Sequence, residues 1–266
     1  MSESTNTTGQ EKIPALRFAD LVLNMGTYML ASGAHCGRLN SNIGRLASTW
    51  NFEIHMSPTF KGLLVTVKDL DNPDNTITRY QTSPPHSVHL AVLTQVSHLS
   101  WKVQEEKLPI SYVEKEFDII KNKSSYNDFV VAFAVGLSCA GLCLFSLGDQ
   151  INALVAFAAA FIGSLVRVFF SRKEFNTMIC VSIAAFVTTL ITGLGQLYGI
   201  GSHPEAAMAT AVLYLIPGVP LINCVIDLIE GYLSSAMNRA LFGGFMLLCI
   251  AAGMTLCITL IGISNF

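Results

Sequence analysis

Apolar residues are distributed very unevenly along the chain. Beyond residue 128 they gather into five long runs, at about 129–147, 151–170, 177–198, 206–229 and 241–263. At 1.5 Å per residue such runs reach roughly 28–36 Å, enough to cross a hydrocarbon core of about 30 Å. They predict five transmembrane helices. The link Gly148–Asp149–Gln150 is so short that the first two must be antiparallel neighbours.

The first half follows shorter periods. Leu16, Ala19, Leu23, Gly26 and Leu30 recur at helical spacing over 16–31, and Ser32–Gly33 ends that helix. A second helix is expected over about 36–50. Asn51–Met56, Lys61–Lys68 and Thr76–Gln81 read as strands, with the turn cluster Asp71–Asn75 between the last two. Val88, Val92, Val96, Leu99 and Val103 mark a long helix after Pro84–Pro85. Val113, Phe117 and Ile120 mark a last helix at about 111–122. The expected fold class is an α-helical integral membrane domain with five transmembrane helices, preceded by a cytosolic α+β domain with a small sheet. The expected divisions are a disordered tail (1–14), the cytosolic domain (15–128) and the membrane domain (129–266).

Charge sharpens the boundary. Residues 1–128 carry 25 charged side chains, whereas residues 129–266 carry nine. The whole chain is only 13% charged against 52% hydrophobic, which excludes an ordinary soluble enzyme and a disordered chain. A net charge of −2 gives no support for nucleic-acid binding. Seven cysteines are too few, and an odd number, for a disulfide scaffold. Residues 1–12 are polar and contain no signal-peptide core, so the N-terminal domain is expected to stay in the cytoplasm. The second half's cations are Arg167, Arg172, Lys173 and Arg239. Three lie around the second connection and Arg239 in the fourth, all on one side of the membrane. The tail Ser264–Phe266 has none. The basic-residue rule then puts the N-terminus inside and the C-terminus outside.

The fourth apolar run holds the most unusual chemistry. It contains Pro217-Gly218-Val219-Pro220, followed by Asn223, Asp227 and Glu230. Prolines deprive a helix of N–H donors, and backbone groups freed inside a membrane must be satisfied by protein or cavity water. One reading is a plain proline kink; the other is a discontinuous helix of the kind that builds transporter substrate sites. Asn223, Asp227 and Glu230 are spaced i, i+4, i+7 on one helical face, and an intramembrane carboxylate is costly unless it faces a cavity or a partner. The two acids also lie near the cytoplasmic end of the run, where they could mark the interface. Arg167, near the end of the second run, either snorkels to the headgroups or clamps a substrate carboxylate. The expected substrate-binding set is Pro217, Gly218, Pro220, Asn223, Asp227 and Arg167. Glu230 and the stripe Thr188, Thr192 and Gln196 on the third run form a second rank.

No catalytic residue, metal ligand or cofactor is assigned. His89 and His98 point to opposite sides of a straight helix, so His86, His89 and His98 cannot share one zinc ion. His35–Cys36 lacks an identifiable third group for nucleophilic catalysis. Cys139 and Cys143 read as small packing residues. No glycine-rich phosphate loop is present, which argues against an ATP-driven pump.

The chain resembles the threonine/serine exporter family in its split form, where one chain carries a cytosolic domain and five spans. The resemblance covers about 16–262. It rests on Ser32-Gly33-Ala34, Ile77–Arg79, Val135–Cys139, Arg167 and, most specifically, Leu215–Asn223 followed by Asp227. It implies secondary export of small polar metabolites from the cytoplasm across the inner membrane. Threonine and serine are the family's named substrates, and a similar split member is linked to succinate and related dicarboxylates. It also implies a second, smaller membrane subunit as partner. The other expected partners are the lipid bilayer and a small-molecule substrate, with a homo-oligomer left open. The rival readings are a membrane-anchored regulatory or assembly subunit without its own transport path, and a membrane hydrolase using His35 or Cys36.

Overall fold

The structure is a computed structural model describing residues 13–59, 61–85, 87–123 and 126–262. Most of the expected disordered tail, His86 and Ser264–Phe266 lie outside the described residues. The chain forms two compact units. One contains the described residues up to Lys123 together with Val219–Ala240. The other contains those from Tyr126 to Gly218 and from Leu241 onward.

The first unit opens with α1 (Ala15–Ala31) and α2 (Cys36–Thr49). Strands β1 (Phe52–Thr59), β2 (Gly62–Asp69) and β3 (Thr76–Thr82) form an antiparallel sheet in the order β1-β2-β3. Helices α3 (Leu90–Glu106) and α4 (Ile110–Lys121) follow. The middle strand alternates: Leu63, Val65 and Val67 are buried and Leu64 is exposed. These three meet Phe18, Val22, Met25 and Met29 of α1, with Leu39, Ile43 and Leu46 of α2, in one core. Gly26 sits where a Cβ would fall 2.4 Å from Leu63 Cδ2, so the helix rests directly on the sheet. Val92, Val96, Leu99 and Val103 are buried as their spacing requires. Val88 precedes α3 and is exposed.

The second unit contains α5 (Asp128–Phe145), α6 (Gln150–Arg172), α7 (Thr177–Leu197) and α8 (Pro204–Ala211), then a 3-10 turn, Leu213–Leu215. Helix α9 (Gly218–Ile229) lies almost wholly in the first unit. Helix α10 (Leu233–Ile261) begins in the first unit and continues in the second. Among the described residues, four helices, α5, α6, α7 and α10, are long and apolar enough to cross a membrane. The pair Pro204–Leu215 and Gly218–Ile229 makes a fifth span if read together across its bent break. Arg239, expected in a connection, lies inside α10.

Small residues let these helices approach. Ala153, Ala156, Ala159, Ala160 and Gly163 form the buried face of α6. A Cβ on Gly136 of α5 would fall 2.9 Å from the Phe157 ring, and one on Gly253 of α10 would fall 2.3 Å from the Ser182 carbonyl oxygen. At the α6 N-terminus Asp149 accepts the backbone N–H groups of Asn152 (2.7 Å) and Ser202 (2.8 Å). Those donors hold its carboxyl below the usual carboxylate range.

Candidate functional site

The break in the fourth apolar run has a local cause. Residues that precede proline are pushed out of the helical region, and Ile216, before Pro217, is extended (φ −61°, ψ 127°). Pro220 plays a different part. It falls in the first turn of α9, where its missing N–H costs nothing, and so starts the new helix rather than breaking it. Carbonyls near the break are met by protein: the Cys139 thiol lies against the carbonyl oxygens of Tyr214 and Ala211, the latter at 3.9 Å.

Helix α9 is inside out. Its buried residues are Asn223 and Asp227, while Ile222, Val225, Leu228 and Ile229 are more than half exposed. An apolar outer face with a polar inner one suits lipid outside and protein inside. The inner face meets the turn between α1 and α2. The Asn223 amide donates to the Gly33 carbonyl (2.8 Å). Asp227 Oδ1 accepts the Cys36 backbone N–H (2.7 Å), and Glu230 Oε2 accepts that of Gly37 (3.0 Å). His35 precedes α2, and its Nδ1 accepts the Arg38 backbone N–H (3.2 Å). The first three donors of α2 are therefore all satisfied, two of them by carboxylates on and just past the end of α9, some 190 residues away. A Cβ on Gly37 would fall 2.2 Å from Glu230 Oε2, so only glycine leaves room for that contact.

Asp227 is completely buried, and its counter-charge is Arg239 of α10. The Arg239 Nε lies 2.9 Å from Asp227 Oδ2, as an ion pair without hydrogen-bond alignment, while Nη2 donates to the Ala34 carbonyl (2.7 Å). Both carbonyls of the Gly33–Ala34 turn are thus claimed by side chains from α9 and α10. Gly33 takes φ +97°, a conformation that β-carbon-bearing residues avoid. His35, Asp227 and Glu230 each bring one donor atom within 4.8 Å of the others.

Cys36 sits beside this cluster. Burial pushes its thiol up to about 11, outweighing the opposing hydrogen bond with Ser235. Cys36 in the folded protein is therefore expected to react with maleimide at pH 8 on the order of 100-fold more slowly than a free thiol, since two pKa units remove that much thiolate. Mass spectrometry of labelled peptides checks this; labelling at the free-thiol rate would mean that the turn is open.

The second unit holds a separate polar cluster. The Thr188 hydroxyl donates to the Ala184 carbonyl (2.8 Å) and lies 3.2 Å from Tyr214 Oη. With its own proton so used, Thr188 Oγ1 is the acceptor for Tyr214. A Cβ on Gly163 would fall 2.0 Å from Thr188 Oγ1 and 2.5 Å from Tyr214 Oη, so this glycine makes the space that both hydroxyls share. Arg167, one turn further along α6, is close enough for its charge to act on Tyr214 and Cys180, and no described acid pairs with it. Thr192 donates to the carbonyls of Thr188 and Thr189 (both 3.2 Å), and the buried Thr189 hydroxyl has no partner among the described residues. Gln196 is half-buried at the end of α7.

The expected set thus divides. Pro220, Asn223, Asp227 and Glu230 belong to the first unit, and Pro217, Gly218, Arg167, Thr188, Thr192 and Gln196 to the second. Sequence reasoning left Arg239, Tyr214 and Gly163 out of the site, and considered His35 only as a catalytic base. Arg239 had a signal, as the lone cation in the stretch that also holds both unexplained acids. Tyr214 and Gly163 had none.

Comparison with known proteins gives the geometry a family. A family model described as "Putative threonine/serine exporter" matches residues 20–261. The chain is 29% identical over 250 residues to the "Probable succinate transporter subunit YjjP" of Escherichia coli K12, covering 92% of this chain and 95% of that protein. The protein of the same name from Klebsiella aerogenes matches at the same identity and coverage. No solved structure matches. A transporter family and several apolar spanning helices together describe a multi-pass membrane exporter, not an enzyme. The match spans nearly the whole chain, including the α1–α2 turn, the broken helix and Arg239, and the chain belongs to the threonine/serine exporter family.

Proposed function

We propose that the chain is one subunit of a secondary-active exporter that moves small carboxylate-bearing metabolites out of the cytoplasm, with Arg167 gripping a substrate carboxylate. The supporting observation is the Arg167 guanidinium. It lies within α6, close enough for its charge to act on Tyr214, and no described acid pairs with it. A planar fork of donors with no acidic partner suits a carboxylate. Succinate, threonine and serine all carry one. The relatives named probable succinate transporter subunits favour the dicarboxylate, and the word subunit favours a second, smaller membrane protein as partner. Asn223, Asp227 and Glu230 act in this reading by tying α9 to the α1–α2 turn rather than by touching substrate. The N-terminal domain is cytoplasmic and the membrane is the inner one.

Efflux of labelled succinate, threonine and serine should be measured from cells making this chain, its partner, both or neither. Export is expected only with both. Arg167→Gln should lower it about 10- to 100-fold at equal insertion, the value of one charge-assisted hydrogen bond of about 1.5–3 kcal/mol. Arg167→Lys should recover part of it. Full export by the partner alone would make this chain a regulator, and full export by Arg167→Gln would remove the clamp.

A further inference from the structure

His35 carries a contradiction. Its Nδ1 accepts a hydrogen bond from the Arg38 backbone N–H at 3.2 Å, which requires a lone pair on that nitrogen. The same atom lies 3.3 Å from Glu230 Oε2, an acceptor that already receives the Gly37 N–H. A lone pair facing a carboxylate oxygen is repulsive unless a proton stands between them. Asp227 is committed elsewhere: it is fully buried, accepts Cys36 N–H and is paired with Arg239.

We propose that His35 and Glu230 form a proton-binding site between the start of α2 and the end of α9. In the unloaded state Nδ1 caps α2 through Arg38 N–H. In the loaded state the proton sits on Nδ1 and is donated to Glu230 Oε2, and Arg38 N–H loses its acceptor. Binding one proton therefore exchanges a bond inside α2 for a bond from α2 to α9. Histidine is the side chain whose charge ordinarily changes between pH 5 and 8. Both partners are partly open to solvent, with 26% and 34% of their side-chain surfaces exposed, so a proton can reach them. The charged groups next to the pair are Asp227 from α9 and, paired with it, Arg239 from α10. Asp227 and Arg239 offset each other through their ion pair. The proton site rests on the geometry of the first unit alone. Its effect on export rests on the exporter reading above.

Two measurements test it on the full-length protein. Amide hydrogen exchange at Arg38, corrected for the chemical rate, should rise severalfold when pH falls from 8 to 5.5, while Gly37 stays protected. Glu230→Gln places a permanent amide donor against Nδ1, and His35→Asn supplies a cap that does not titrate. Both should abolish the pH response at Arg38 and flatten the part of the export–pH profile that lies between pH 5 and 8. Matching melting temperatures confirm that the variants are folded. A pH response at Arg38 that survives in both variants overturns the site, whatever happens to export. If zinc or a chelator at fixed pH moves Arg38 exchange as much as the pH change does, the occupant is a divalent ion and the proton proposal is wrong.

Discussion

Replacing Arg239 with alanine is expected to destabilise the protein by about 3–5 kcal/mol, more than any other single change to the first unit's charged groups. Truncating one partner of a buried ion pair leaves the other charge buried without compensation. Asp227 has no exposed surface, and its remaining partners are the backbone N–H and the thiol of Cys36, neither of which carries a compensating charge. Removal of Arg239 also strips the Ala34 carbonyl of its donor. Asp227→Asn should cost less, roughly 1–3 kcal/mol, because the amide oxygen still accepts Cys36 N–H and Arg239 keeps its bond to the Ala34 carbonyl. The double variant should be more stable than Arg239→Ala alone, giving a coupling energy within the 0.5–3 kcal/mol range of contacting pairs. Thermal unfolding of the purified variants in detergent, with the inserted fraction measured in parallel, reads all three. Wild-type melting by Arg239→Ala would mean that Asp227 is not held as a charge.

The same residues show how far the sequence could be read. Periodicity placed the strands and helices of the first unit because each has one buried face, and Leu63, Val65 and Val67 or Val92, Val96 and Val103 repeat at the spacing of that face. Hydropathy placed the spans because lipid imposes length and composition on each helix separately. The spacing of Asn223 and Asp227 put them on one face because i, i+4 is a property of one helix, and both are buried on α9; Glu230 lies just past its end. What that face touches was not legible. It meets a turn some 190 residues earlier in the chain, and backbone N–H groups leave no mark in a residue pattern. Pro217 and Pro220 look alike in sequence, yet one ends a helix and the other begins one. The difference lies in which residue already has a helical partner four places back. Arg239 could be counted for orientation without knowing that it pairs with Asp227, because a twelve-residue separation across a turn and two helices fixes no distance.

Gly163→Ala is expected to lower both stability and export, and the two losses should separate. The new Cβ would need the space within 2.0 Å of Thr188 Oγ1 and 2.5 Å of Tyr214 Oη. Thr188 is fully buried and bonded to the Ala184 carbonyl, so it cannot simply rotate away. Overpacking of this kind costs typically about 1–3 kcal/mol. Adding Tyr214→Phe and Thr188→Ala removes both clashing oxygens, leaving the Thr188 Cβ, at 3.3 Å, as a tight contact. The triple variant should therefore regain most of the lost melting temperature. It should not regain export, because the Tyr214 hydroxyl, which lies within reach of the Arg167 charge, has gone and the site has lost a donor. Tyr214→Phe alone should lower export with little change in melting. Equal export by Tyr214→Phe and wild type at equal insertion would show that Tyr214 serves helix packing only. Recovery of export together with melting in the triple variant would show that Gly163 sets the spacing of α6 and α7 and nothing more.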